Sequence, residues 1–347
     1  METRSFASDN YSEVDKVVLK EINNANYGDE KSYGKDKLTI ELNEIVKSKF
    51  GERALILPVT TGTSANIISL LALSKRHESV IVAKSSHLHV DECGAPESNG
   101  IKLLTMETED GKLNKEIIAK ECYGYGDQHR AQPKIVSITQ STELGTCYKE
   151  NEIKSIVTFC KKNGLKIHVD GARLMNAAST LNVGLEDISS NLKIDALSLG
   201  FTKNGALNAE AIILFDEKIY NDAVYLRKQK SQLMSKQRFL SAQILAMLRD
   251  DHWAKNASNA NSMALYLASE IDKIDELKVR YKVEANAVFA VTSNKLANHL
   301  SSKFGFYIWD ESVGLIRLMT SFNTTKKDID IFIKEIKKEI LISKLGN

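Results

Sequence analysis

Proline is nearly missing from these 347 residues, with three in all. No proline-, glycine- or serine-rich stretch divides the chain. That excludes modules strung on flexible linkers and predicts compact units joined by helices. Cysteine is scarce as well: Cys93, Cys122, Cys147 and Cys160 stand far apart, with no CxxC pair. A zinc ribbon and a disulfide framework are thereby excluded, and reduced thiols in a cytoplasm are expected. No apolar run approaches the ~18 residues of a membrane span, and METRSFASDN has no apolar stretch after its charges, so neither a membrane segment nor a secretory signal is expected. An excess of one charge is missing too. Lys and Arg number 47 against 45 Asp and Glu, a balance of +2 that gives no reason to expect nucleic acid or an acidic membrane as partner.

What is present is alternation. ALILPV (54–59), SVIVAK (79–84), KLLTME (102–107), KIVSITQ (134–140), LKIHVD (165–170), DALSLG (195–200) and AEAIILF (209–215) read as buried strands. Helical patterns, such as 66–76 and 151–163, lie between several of them. This predicts an α/β fold, with a mixed, mostly parallel sheet covered on both faces and ligands at the carboxyl ends of its strands. After about residue 220 the pattern changes to helices at 225–250 and 254–274. Strands follow within KVRYKVEANAVFAVTS, FGFYIW and VGLIRLMTSF, and a helix over 326–343 closes the chain. The expected organisation is an N-terminal arm (1–25), a large domain (26–245) and a smaller C-terminal α+β domain (246–347).

Several local patterns can carry chemistry. In LKIHVDGARLMNAA, Asp170 ends a buried strand and Gly171, Ala172 and Arg173 follow at once. A strand-end acid there either caps the next turn or faces a ligand. Lys203 lies in a small-residue loop after DALSLG, where it is either a solvated lysine or an amine poised for Schiff-base chemistry. LPVTTGTSAN places Gly62, Thr63 and Ser64 at a helix start, an ordinary cap or an anion site. It lacks GK[ST], and no GxGxxG follows a strand, so neither a nucleotide P-loop nor a dinucleotide site is expected. SSHLHVDECGAPE carries His87, His89, Asp91 and Glu92; this HxH pattern is weak for a metal, and none is expected. The flat imidazole of His87 suits a planar cofactor instead. His129 lies in a polar loop, and Arg317 sits among apolar residues where it needs a partner. Together, an anion-binding helix start, a strand-end acid, a loop lysine and two arginines suit a phosphorylated pyridine aldehyde.

SDN (8–10), YGKD (33–36), TTGTSAN (60–66), SHLHVDECGA (86–95), HVDGARLMNAA (168–178), GFTKNGALNAEA (200–211), SKQRFLSAQ (235–243) and RLMTSF (317–322) resemble segments of the low-specificity L-threonine aldolases. The resemblance covers nearly the whole chain, in order. It implies the aspartate-aminotransferase-like fold (fold type I) and pyridoxal 5′-phosphate as cofactor. It also implies cleavage of an L-β-hydroxy-α-amino acid to glycine and an aldehyde. By resemblance Lys203 is the Schiff-base lysine, Asp170 the partner of the pyridine nitrogen, and His87 the residue stacked on the ring. Gly62 and Thr63 hold the phosphate, and Ser8, Arg173 and Arg317 hold the substrate carboxylate. His129 lies near the substrate hydroxyl, so His87, His129 or a water held by one of them is the expected base. Arg238 reaches a neighbouring subunit's phosphate, and Tyr33 faces an adjacent site. A homotetramer or dimer with active sites at subunit interfaces is implied. ITQSTELGT (138–146) stands where the best-known bacterial members carry an ENTHN-like segment, and GFTKNG where they carry a CLSKG-like one. The TKNG form resembles a branch that includes phenylserine-cleaving enzymes. The competing readings are a β-eliminating lyase or aminotransferase on the same fold, a non-catalytic protein that kept the scaffold and, third, a metal-dependent hydrolase built on His87, His89 and Asp91.

Overall fold

The computed structural model describes residues 4–345. Residues 1–3 of the expected arm and 346–347 of the expected small domain lie outside the described residues. Seven strands, β1 (Leu55–Val59), β2 (Glu78–Ala83), β3 (Lys102–Met106), β4 (Gln132–Thr139), β5 (Lys166–Gly171), β6 (Ala196–Gly200) and β7 (Glu210–Leu214), form one sheet in the order β1-β7-β6-β5-β4-β2-β3. β7 is antiparallel to both of its neighbours, and every other pairing is parallel. The seven apolar runs of the sequence are these seven strands. Interior strands such as β6 and β7 are buried at every position, as a sheet covered on both faces requires.

Four further strands, β8 (Lys278–Val279), β9 (Ala287–Val291), β10 (Tyr307–Asp310) and β11 (Leu315–Met319), make an antiparallel sheet in the order β10-β11-β9-β8. Helix Lys326–Leu345 covers it with Ile329, Phe332, Ile333, Ile336 and Ile340, one apolar stripe at helical spacing. The N-terminal segment crosses to this sheet. Met319 N–H donates to Phe6 O at 2.7 Å, and the buried Phe6 ring lies 4.5 Å from that of Phe332. Burying such a ring is worth about 2–3 kcal/mol, enough to hold the chain start in place.

One difference from the expected elements matters. The helix expected over 225–250 is two helices, Glu217–Gln229 and Arg238–Leu248. The polar run between them takes a left-handed turn at Ser231 (φ 60°), and Gln232 Oε1 accepts hydrogen bonds from Thr60 N–H (3.0 Å) and Thr60 Oγ1 (2.8 Å). The break therefore braces the end of β1. Helix His252–Ile271 serves both apolar cores: Trp253 and Ala257 pack under the large sheet, and Ala264, Leu267 and Ile271 under the small one.

Candidate active site

β1, β2, β4, β5 and β6 all end at one edge of the large sheet, where β7 begins with Glu210 opposite Val59 and Gly200. The turns leaving β5 and β6 touch: a Cβ on Gly200 would stand 2.6 Å from Ala172 O. Glycine there lets the turn after Asp170 and the turn carrying Lys203 lie side by side.

Asp170 closes β5 with both oxygens aimed. Oδ1 accepts from Ala172 N–H at 3.0 Å, and Oδ2 from Asn66 Nδ2 at 2.9 Å. Asn66 lies in the first turns of helix Gly62–Leu73, and its Nδ2 also donates to Glu92 Oε1 at 2.9 Å. Glu92 Oε1 in turn lies 2.9 Å from His87 Nδ1. A buried polar chain, His87–Glu92–Asn66–Asp170, thus fixes the imidazole and the strand-end acid in one arrangement. Burial opposes the charge of His87, but the Glu92 hydrogen bond and the Asp170 charge prevail and its pKa is raised.

Lys203 lies on the short turn Thr202–Asn204 directly after β6. Its ammonium has no hydrogen bond or ion pair among the described residues. It opens into a cavity of about 730 Å³ whose wall also includes Ser8, His87, Glu143, Arg173 and Arg317. Arg173 is gripped by Asp9: Nε reaches Oδ2 at 2.8 Å and Nη2 reaches Oδ1 at 3.0 Å, a bidentate pair. Asp9 is buried, yet the Arg173 charge outweighs that burial and holds its pKa below the usual carboxylate value. Asn286 Nδ2 supports the same carboxylate at 3.0 Å.

Arg317 comes from the small sheet and has no carboxylate partner among the described residues. Its guanidinium lies 4.8 Å from the Trp309 ring and 5.4 Å from that of Tyr307, and Nη2 donates weakly to Ala7 O at 3.4 Å. Burial and the charge of Arg173 lower its pKa. Two guanidiniums therefore face one cavity, and the only carboxylate paired with either among the described residues is Asp9. That arrangement leaves room for an incoming anion.

The remaining candidates are placed as follows. Ser8 Oγ accepts from Asn10 N–H at 3.2 Å and lines the cavity. Gly62 and Thr63 begin their helix at the same sheet edge but do not line the cavity. Ser64 N–H is taken by Thr61 Oγ1 and Ala65 N–H by Thr61 O, which leaves the Gly62 and Thr63 N–H groups without acceptors among the described residues. His129 is exposed in loop 123–131, where its N–H donates to Asp127 Oδ1, and it does not line the cavity. Tyr33 and Arg238 lie away from the cavity, close to each other. Tyr33 N–H donates to Ser235 O at 2.9 Å, and Arg238 Nη1 donates to Tyr27 O at 3.1 Å. A single chain thus assembles Ser8, His87, Asp170, Arg173, Lys203 and Arg317, and leaves His129, Tyr33 and Arg238 outside.

Sequence reasoning passed over five residues of this neighbourhood. Asp9 stands in the quoted SDN, where a buried acid beside an arginine is the signal. Asn66 closes TTGTSAN, and Trp309 and Tyr307 were read only as strand. Glu143, in the divergent ITQSTELGT, gave no periodic signal at all.

A family model described as beta-eliminating lyase matches residues 5–295. The chain belongs to the beta-eliminating lyase family. It is 38% identical over 326 residues to a low specificity L-threonine aldolase of Pseudomonas sp. (strain NCIMB 10558), covering 93% of this chain and 94% of that one. A low specificity L-threonine aldolase of Pseudomonas aeruginosa is 37% identical over 341 residues, 97% of each chain. Among solved structures, a threonine aldolase of Leishmania major superposes with a TM-score of 0.89 at 27% identity, covering 96% of this chain and 98% of that one. The family and the aspartate-aminotransferase-like fold expected from the motifs are those found.

Proposed function

We propose that this chain cleaves L-threonine, L-allo-threonine or a related L-β-hydroxy-α-amino acid to glycine and an aldehyde, with pyridoxal 5′-phosphate as cofactor. The observation that carries the reading is the unpartnered Lys203 amine, which shares one cavity with two guanidiniums and whose turn packs against the one leaving Asp170, a carboxylate fixed by two donors. The residues present suit such a group. Lys203 offers an amine for its aldehyde, Asp170 a carboxylate for its ring nitrogen, and His87 a flat face for its ring. The open N–H groups of Gly62 and Thr63 offer donors for its phosphate. When bound, the cofactor supplies the aldehyde that captures the substrate amine and the ring that accepts the electron pair of the broken bond.

The chain's residues do the rest. Arg173 and Arg317 grip the substrate carboxylate from two sides, and Ser8 adds a hydroxyl. A carboxylate held at two points cannot rotate, so one bond at the amine-bearing carbon is set in the geometry for cleavage. Asp9 keeps Arg173 aimed. Trp309, Tyr307 and Val90 give the far wall an apolar, partly aromatic surface, which supports substrates with a bulky or aromatic group on the hydroxyl-bearing carbon.

We also propose a division into residues 26–245, which hold the cofactor, and 246–347, which close over the carboxylate; two separate apolar cores support two units, although Met247, Leu248, Trp253 and Ala257 pack in the first core. We further propose a homodimer or homotetramer in which Tyr33, Arg238 and His129 serve a neighbour's site. Tyr33 and Tyr27 expose large rings on the patch that carries Arg238, and His129 stands on an exposed loop. Among the described residues no helix is long and apolar enough to cross a membrane. Four free thiols support a cytoplasmic setting.

Product analysis is the test. Protein loaded with pyridoxal phosphate and given L-threonine is expected to release glycine and acetaldehyde in equal amounts. A keto acid with ammonia would assign a β-eliminating or transaminating activity instead. No turnover of any β-hydroxy amino acid would leave a binding protein.

A further inference from the structure

We propose that Glu143 is the proton acceptor of this site, taking the hydrogen of the substrate hydroxyl on the carbon next to the amine-bearing one. The proposal rests on the aldol-cleavage reading above. Glu143 lies in the segment that follows β4 and lines the same cavity as Lys203, His87, Arg173 and Arg317. One of its oxygens is anchored. Oε1 accepts from His87 N–H at 2.8 Å and from Thr139 Oγ1 at 2.8 Å. These donors come from the first residue of a helical turn and the last residue of a strand, so the carboxyl group cannot swing. The other oxygen, Oε2, is buried and has no partner among the described residues. No cation pairs with Glu143 among them either. Ser85 and Ser141, on the same cavity wall, also keep buried hydroxyl oxygens without partners.

A buried, unpaired oxygen on an anchored carboxyl group that lines a cavity is costly unless something arrives to use it. The charged and titratable groups facing Glu143 are Asp170 from β5, Arg173 from the turn after it, Tyr148 and His87. Burial, with the Asp170 charge adding to it, pushes its pKa up to about 7, where a proton is taken and returned with equal ease. The histidines are less suited. His87 Nδ1 is committed to Glu92 and its pKa is raised, so it tends to hold its own proton. His129 is outside the cavity of its own chain.

The step balances. The substrate O–H bond breaks and its proton passes to Glu143 Oε2. The oxygen's pair forms the aldehyde C=O as the carbon–carbon bond breaks, and the pair of that bond stays with the glycine fragment. That fragment takes up one proton and Glu143 gives one up, so the net reaction releases none.

The test is Glu143→Gln in the holoenzyme, since glutamine keeps an oxygen for His87 N–H and Thr139. L-Threonine cleavage is expected to fall by about 100-fold or more, the scale of a lost proton-transfer group. Exchange of glycine's α-hydrogen with deuterium, which involves no hydroxyl, should stay within about threefold of the parent. Without cofactor, infrared difference spectra of the parent should contain carboxyls titrating near 7, from Glu143 and Glu210, and the variant should lack one of them. Glu143→Asp should restore part of the cleavage and the acidic limb of its pH profile. Cleavage by the glutamine variant within about threefold of the parent overturns the proposal. Equal loss of cleavage and glycine exchange overturns it too, because Glu143 would then merely brace His87. A parent protein that neither cleaves threonine nor exchanges glycine removes the aldolase reading, and this proposal with it.

Discussion

The two walls of the cavity are built on different principles. On the large-sheet wall the groups around the open Lys203 amine are wired: Asp170 by Asn66 and Ala172, His87 by Glu92, Glu143 by Thr139 and the His87 backbone. On the small-sheet wall Arg317 is cradled by the faces of Trp309 and Tyr307, with one long hydrogen bond to Ala7 O. Proton and electron-pair chemistry demands groups fixed to a fraction of an ångström, and short hydrogen bonds supply that. An anion that comes and goes needs a guanidinium able to adjust, and aromatic faces hold the charge without consuming its donors.

The strongest way to break this comparison is at Lys203. Lys203→Ala should abolish both the visible absorption of bound pyridoxal phosphate and threonine cleavage, a loss of about 10⁴-fold or more. Arg317→Ala, on the other wall, should keep the absorption and lose mainly substrate affinity. A Lys203→Ala protein with unchanged colour and turnover would move the chemistry off the wired wall.

Asp9 joins the two walls, and its loss is the next largest effect expected. The carboxylate is fully buried against Arg173, so Asp9→Asn leaves a guanidinium without its counter-charge in the interior. Breaking such a pair from one side costs about 3–5 kcal/mol. Urea unfolding of the apo-protein should register that loss, and threonine KM should rise because Arg173 is no longer aimed. An unchanged unfolding midpoint would mean that solvent compensates Arg173.

These particulars show what the sequence made legible. The seven sheet strands were readable because apolar runs bounded by turn residues leave few alternatives. Lys203, Asp170 and Arg173 were readable because each follows such a run. Glu143 was not, since a buried acid in a non-repeating segment has no period and its partners, Thr139 and His87 N–H, are set by tertiary folding. Asp9 was hidden for a similar reason: its partners Arg173 and Asn286 lie 164 and 277 residues away. The cage around Arg317 escaped notice because Tyr307 and Trp309 look like ordinary strand residues until β10 and β11 pair.

Behind the wired wall, His168 offers a gentler probe. It is wholly buried in β5, with Ser137 Oγ 2.8 Å from Nδ1 and Ser198 Oγ 2.9 Å from Nε2. Burial lowers its pKa to about 4 from 6.5. The folded state thus binds fewer protons than the unfolded one between those values, and stability falls as pH drops through that window. The full linkage is about 3 kcal/mol. Glu143 and Glu210, raised to about 7, act in the opposite direction: each favours the folded state as pH falls from about 7 toward 4.5. His168→Gln should flatten the acid loss measured by denaturant unfolding, and Glu143→Gln should steepen it. Identical slopes in all three proteins would mean that these groups titrate alike in the folded and unfolded states.

The smallest effect expected is at the adjustable wall, where Arg317→Lys keeps the charge and removes the planar fork. Lysine places one ammonium on a flexible stem, so it neither binds a carboxylate bidentately nor spreads over the Trp309 ring as a guanidinium does. Threonine KM is expected to rise about tenfold, with kcat falling less, as when binding shared by ground and transition states is lost. At the wired wall no such tolerance is expected: Asp170→Asn keeps the shape but removes the charge and sets an amide NH2 against one of the two donors, and should lower kcat far more than it raises KM. If Arg317→Lys lowered kcat as steeply as Asp170→Asn does, Arg317 would be fixing the geometry of bond breaking as well as holding the carboxylate. The aromatic cradle would then be an alternative form of wiring, and the contrast between the walls would be one of materials and not of function.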